Sequence, residues 1–145
     1  MPSIKELEEE IISEFEILGD DRESTIFYIM ELGDKLPPLP EKFKTDDNLI
    51  KGCQSKVWLT ASDDNGKVNF LADSNTDITK GLISLLIRVL NGQPRKEIIN
   101  ADLAFLNKIG MDQVIGSQRS NGLASMIRQM KMFALALDTK SEANA

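Results

Sequence analysis

The sequence predicts an α+β fold, with several helices packed around a small antiparallel sheet. Three observations predict it. Apolar residues recur at helical spacing in segments bounded by capping residues. Two stretches of strand composition flank Asp63-Asp64-Asn65-Gly66, a turn signal. Residues 78–90 are apolar with few interruptions, the mark of a central, buried helix. A lone hairpin is too small a sheet to stand in water. That helix and the C-terminal one must therefore cover one of its faces.

The elements follow in order. Ser3 and Glu6 form a capping box, and Ile4, Leu7, Ile11, Phe15 and Leu18 make one apolar stripe up to Gly19. The opposite face is acidic and reads as solvated. Asp20 or Asp21 caps a second helix, with Ile26, Ile29, Met30 and Leu32 inward and Gly33 near its end. Leu36-Pro37-Pro38-Leu39-Pro40 then forbids helix and reads as a stiff, extended connection. Gln54–Thr60 and Lys67–Ala72 read as the hairpin strands. A short third strand is expected near Asn48–Lys51, for about three in all. A helix over Ile78–Leu90 stops at Gly92-Gln93-Pro94, and short helices follow near Arg95–Asn100 and Ala104–Ile109. The last helix is expected from about Ser120 to Asp138, with Leu123, Ile127, Met130, Ala134 and Leu137 as its stripe. The tail, 139–145, is expected to fray.

A length of 145 residues suits one domain with one core, taken as 1–145. The net charge is −6 and no basic cluster stands out, which argues against nucleic acid as a partner. No apolar stretch approaches the roughly 20 residues that cross a bilayer, so no membrane partner is expected. The acidic start, Met1–Glu10, lacks the apolar core of a signal peptide. A cytoplasmic or equivalent reducing setting is the expectation.

Two counts narrow the chemistry. The chain has no histidine, which removes Ser-His and Cys-His catalysis and every imidazole metal site. It has one cysteine, Cys53, so no internal disulfide, Cys-rich zinc site or self-contained iron–sulfur site can form. No cofactor motif and no metal site are expected. Cys53 sits in Lys51-Gly52-Cys53-Gln54-Ser55-Lys56, ahead of the first strand. Gly52 permits backbone angles that other residues avoid, which points to a loop–strand junction. Lys51 and Lys56 are placed to favour the thiolate, the reactive form. Composition alone leaves open the blander reading, a small buried hydrophobe.

The sequence resembles the SufE family of sulfur-acceptor proteins (SufE and the related CsdE). The resemblance runs from about Ile11 to Leu137 on four ordered segments. These are Tyr28-Ile29-Met30-Glu31-Leu32-Gly33 followed by Leu36-Pro37; Asn48 to Trp58, with Gly52-Cys53-Gln54-Ser55 and Val57-Trp58 the most specific part; Asp73-Ser74 with Ile78-Thr79-Lys80-Gly81-Leu82-Ile83; and Ser117-Gln118-Arg119-Ser120-Asn121-Gly122-Leu123. Asn75 departs from the pattern, where Asp is expected. The resemblance implies a fold shared with IscU-type scaffolds. It implies that Cys53 accepts sulfur from the persulfide of a PLP-dependent cysteine desulfurase of the SufS or CsdA kind, stimulates that enzyme, and delivers the sulfur to the SufBCD scaffold complex. It also implies that Arg119 and the segment from Asp73 to Asp77 lie near the Cys53 loop and help dock the partner.

The residue counts bear on this independently. A scaffold that holds a cluster needs several ligands, and this chain offers one thiol. One thiol is enough to carry one sulfur. The competing reading is a non-covalent adaptor that activates a desulfurase without carrying sulfur. A lone-thiol enzyme is the weakest alternative, because no base accompanies the cysteine.

Overall fold

The computed structural model describes residues 1–144. Its elements run α1 (Ile4–Leu18), α2 (Arg22–Asp34), two 3-10 turns at Glu41–Phe43 and Asp46–Asn48, β1 (Val57–Asp64), β2 (Lys67–Ser74), α3 (Asp77–Leu90), α4 (Arg95–Asn100), α5 (Phe105–Lys108) and α6 (Met111–Ala143). The fold is α+β, with the helices packed on one antiparallel pair of strands.

The capping box at α1 forms as read: Ser3 Oγ accepts from the Glu6 N–H at 3.1 Å, and the Ser3 N–H donates to Glu6 at 3.2 Å. Ile4, Ile11 and Phe15 are buried, while Leu7 and Leu18 sit at the edge of the core. Asp21, rather than Asp20, caps α2. Ile29 and Leu32 are buried there, with Ile26 and Met30 only half-buried.

The hairpin registers Val57 opposite Ser74 and Asp64 opposite Lys67. Asn65 and Gly66 both have positive φ (51° and 88°), as a tight two-residue turn with the strands' own twist requires. β1 therefore runs on through Asp63-Asp64, four residues past its expected end at Thr60, and β2 runs two residues past Ala72 to Ser74. Val57, Leu59, Val68, Phe70 and Ala72 face the core. The expected third strand is reduced to a single bridge, Leu49 with Trp58, plus the Ile50 N–H bonded to the Val57 carbonyl at 2.8 Å. A 3-10 turn precedes Leu49 and Gly52 turns the chain at φ +94°, so no room remains for a ladder. β1 also starts later than expected, at Val57.

Lys80, Ser84 and Arg88 draw one polar line down α3, and each is used. Lys80 pairs with Asp73 at 3.5 Å, Ser84 Oγ donates to the Leu32 carbonyl at 3.1 Å, and Arg88 pairs with Glu14 and Glu10 of α1. The rest of α3 is buried apart from Asp77, which is exposed at its start, and Ile78 and Ile87, which are half-buried. α2 crosses it at contact distance through two glycines: a Cβ on Gly81 would lie 2.0 Å from the Ile29 carbonyl oxygen.

The last helix differs from its expected bounds at both ends. It starts at Met111 and breaks at Gly116 (φ 83°, ψ 171°), so the stretch before Ser120 is a short helix and a kink. The expected frayed tail is helical through Ala143, and Ala145 lies outside the described residues. Arg95 explains the order: it pairs with Asp138 at 3.2 Å and Asp63 at 2.6 Å and donates to Ser141 Oγ at 3.1 Å, tying the helix end to the hairpin. Among the described residues no helix is long and apolar enough to cross a membrane.

Candidate functional site

The segment from Lys51 to Lys56 joins the sheet edge to β1 and lies against α3 and α6. Its ends are held. Ile50 is buried at 5% exposure. At the other end the Lys56 N–H donates to Asn75 Oδ1 at 2.9 Å, and the Asn75 N–H donates to the Lys56 carbonyl at 3.1 Å. Ser55 Oγ accepts from Thr76 Oγ1 at 2.7 Å and from Thr79 Oγ1 at 3.3 Å, which fastens the loop to the start of α3. Among the described residues, no backbone–backbone hydrogen bond holds residues 52–54. Gly52 crosses close over α6, where a Cβ would lie 2.5 Å from Ser125 Oγ.

Cys53 is half-buried and its Sγ donates to the Gly122 carbonyl on α6 at 3.5 Å. The thiol opens onto a cleft of about 570 Å³. Met30, Leu82, Ile115 and Met126 form its apolar side; Ser55, Thr76, Thr79 and Arg119 form its polar side. Burial pushes the Cys53 thiol up, and no neighbouring charge offsets that shift. The expected assistance from Lys51 and Lys56 is absent: both are exposed, and burial acts on the thiol alone. At rest the sulfur is a protonated thiol on an apolar floor, a poor nucleophile until its surroundings change.

The other sequence-marked residues divide. Gln54, Ser55, Asp77 and Arg119 line the cleft with Cys53, and Lys51 does not. Arg119 is exposed, donates to the Ile115 carbonyl at 3.5 Å, and makes no ion pair among the described residues. Asp73 stands apart from the cleft. It is buried at 7% exposure, where desolvation favours its protonated form. The Ser74 N–H at 2.8 Å and the Lys44 and Lys80 ammoniums, at 3.2 and 3.5 Å, outweigh burial and hold its carboxyl below the usual range. Sequence spacing singles out neither Gly122 nor the methionines of the cleft for function, because a Met-rich stripe at helical spacing reads as core. Met126 is core and cleft floor at once. Among the described residues no group of three or more His, Cys, Asp or Glu could hold a metal ion.

Comparison with known proteins bears on this arrangement. The family model described as SufE, Fe-S metabolism associated domain, matches residues 9–134. The cysteine desulfuration protein SufE of Wigglesworthia glossinidia brevipalpis is 36% identical over 122 residues, covering 83% of this chain and 85% of that protein. A SufE-like protein of Rhizobium meliloti is 37% identical over 128 residues, covering 85% and 91% of the two chains. The chloroplastic/mitochondrial SufE-like protein 1 of Arabidopsis thaliana is 36% identical over 138 residues, 92% of this chain but 36% of that longer protein. Among solved structures, the solution structure of a hypothetical protein from Thermus thermophilus superposes with a TM-score of 0.76 over 92% of this chain and 96% of its own, at 18% identity. That likeness carries the fold; the family model and the close relatives carry the rest, and on them this chain belongs to the SufE family.

Proposed function

We propose that the protein is a sulfur carrier for iron–sulfur cluster assembly, with Cys53 as the covalent acceptor. It belongs to a family described by Fe–S metabolism, and one relative is named a cysteine desulfuration protein. The observation that carries the finer reading is the placing of the chain's sole thiol, half-buried on a loop segment without backbone–backbone hydrogen bonds among the described residues, at a cleft with an apolar floor and a polar side. The donor is a PLP-dependent cysteine desulfurase, which the carrier also stimulates, and the receiver is a SufBCD-type scaffold. Protein partners suffice for this role; it involves neither nucleic acid nor membrane, and a reducing compartment such as the cytoplasm suits the free thiol.

In the transfer step, the Cys53 thiolate attacks the outer sulfur of the donor's persulfide. A new S–S bond forms on Cys53 as the donor's S–S bond breaks, and the electron pair leaves with the donor's thiolate. The thiol proton goes to solvent or to a base on the partner. Asp77 and Arg119, of opposite charge on the cleft's rim, are the residues proposed to meet the donor. Asp73 contributes from behind, by holding the Lys44 and Lys80 segments in place.

The test is intact mass after incubation with the desulfurase and cysteine. Cys53 should gain one sulfur, about 32 Da, and Cys53→Ser should gain nothing while folding normally. No adduct on the wild type would overturn the reading. The raised thiol pKa favours the second reading, a non-covalent activator, because a protonated acceptor is slow. If Cys53→Ser stimulates desulfurase turnover as fully as wild type, that second reading wins.

A further inference from the structure

Of the nine glycines, eight have an evident reason to be glycine in the resting fold. Gly19, Gly52, Gly66, Gly92, Gly110 and Gly116 adopt positive φ. Gly33 and Gly81 face each other across the α2–α3 crossing, where a Cβ would meet backbone at 2.7 and 2.0 Å. Gly122 has neither reason. It lies inside α6 with ordinary helical φ, and a Cβ there would meet Cys53 Sγ at 3.6 Å and Cys53 Cα and Cβ at 3.9 Å. Those are ordinary van der Waals distances. The resting protein would accept alanine, and helix propensity favours it.

The space left open adjoins the reactive sulfur. Sγ already reaches this turn of α6 through its bond to the Gly122 carbonyl. An outer sulfur stands about 2.05 Å from Sγ. Directed over Gly122, it would fill the volume that a methyl group otherwise takes. Directed there past an alanine methyl 3.6 Å from Sγ, it would overlap that methyl. Met126, buried at 1% exposure, adds a polarisable thioether to the same floor.

We propose that the notch over Gly122 is the seat of the outer sulfur of persulfidated Cys53, and that the missing side chain at position 122 shields that sulfur from small nucleophiles while the carrier is between partners. This rests on the reading of Cys53 as persulfide acceptor. Gly122 is thus a positioning residue that acts by leaving space.

The test separates the two claims. Cys53 is loaded without any enzyme, using inorganic polysulfide: the thiolate takes a sulfur, an S–S bond of the polysulfide breaks, and a shorter polysulfide leaves with the electron pair. Excess reagent is removed and cyanide is added. Cyanide attacks the outer sulfur and departs as thiocyanate, and the electron pair returns to Cys53 Sγ. In Gly122→Ala, thiocyanate should form about ten-fold faster than in wild type, the effect of an overpacked seat, while alkylation of the unloaded thiol by iodoacetamide changes less than about two-fold. Gly122→Ser should be faster still. Equal cyanolysis in wild type and Gly122→Ala would overturn the proposal, as would equal acceleration of cyanolysis and alkylation, which marks a loosened loop. A second measurement needs no variant. On loading the wild type, the Gly122 amide resonance should shift and return after cyanide; an unmoved resonance would also overturn the proposal. Failure of the desulfurase to load the wild type would sink the carrier reading instead, and leaves these chemically loaded comparisons intact.

Discussion

Two helical glycines should respond to alanine with opposite sign. At Gly81 the new Cβ would lie 2.0 Å from the Ile29 carbonyl oxygen and 2.6 Å from its Cγ2. Ordinary contact begins at 3.4 Å, so α2 and α3 must part by about 1.4 Å. The parting acts on the centre of the core, where Ile29, Leu82 and Leu85 are almost fully buried. The obstacle is backbone, which cannot rotate aside, so the cost lies at the top of the overpacking range, about 3 kcal/mol. Better helix propensity returns about 1 kcal/mol, for a net loss of about 2 kcal/mol. In urea, with a slope of about 2 kcal/mol per M, that moves the midpoint down by about 1 M. At Gly122 the nearest contact is 3.6 Å, so propensity dominates, and alanine should be neutral or stabilising by up to about 1 kcal/mol. The assay is urea unfolding of both variants, followed by circular dichroism and by Trp58 fluorescence. A Gly81→Ala midpoint equal to wild type, or shifts of the same sign in both, would refute the reasoning.

Other outcomes follow from the same geometry. The Arg88 hydrogen bond holds the Glu14 carboxyl below its ordinary range, with the Tyr28 hydroxyl assisting against burial. Its contribution is therefore complete above about pH 4.3, the unfolded value, and is lost as pH falls through the lower folded one. Glu14→Gln should lower stability at neutral pH and flatten the acid limb of a stability-versus-pH curve; a limb as steep as wild type counts against the pairing. For Cys53, the rate of iodoacetamide alkylation should inflect above about pH 8.5, the ordinary thiol value, because only burial acts on it. An inflection below that value would reveal a cation or donor at the thiol that the resting geometry lacks. At position 75, Asn75→Asp keeps the acceptor for the Lys56 N–H and should leave alkylation and stability unchanged. Asn75→Ala hands that exposed donor to water, at a cost of about 1 kcal/mol, and should speed alkylation of Cys53.

Most of the scaffold was legible because its signals are local. The capping box of Ser3 and Glu6, the Asn65-Gly66 turn and the stop after Leu90 each follow from a few adjacent residues, and each forms. The third strand misled because Asn48 to Lys51 has suitable composition but too little length between a 3-10 turn and Gly52. The start of α6 misled because Gly116 breaks the chain by backbone angle alone, with nothing within 4 Å of the side chain it lacks. A chain terminus is expected to fray, but a tertiary contact overrides that at 139–143: Arg95 holds that end from forty-odd positions away in the chain.

The site divides along the same line. Cys53 was marked by a short, specific segment, and its loop is built from sequence neighbours. Its electrostatics were not legible, because a lysine two or three positions away in sequence says nothing about where the ammonium points, whereas burial depends on α6, some seventy positions on. Asp73 shows the converse. The resemblance places it among the residues that dock the partner; in the fold it is a buried anchor with two lysines. Asn75 makes the distinction useful. It departs from the family's expected acid, yet what it supplies to the loop is an acceptor oxygen at 2.9 Å from the Lys56 nitrogen. An aspartate supplies the same oxygen with a charge added. The loop that presents Cys53 therefore depends on the acceptor and not on the charge, and the substitution leaves the construction of the site intact. Gly122 belongs to the same class of information, since a space is defined only by what surrounds it.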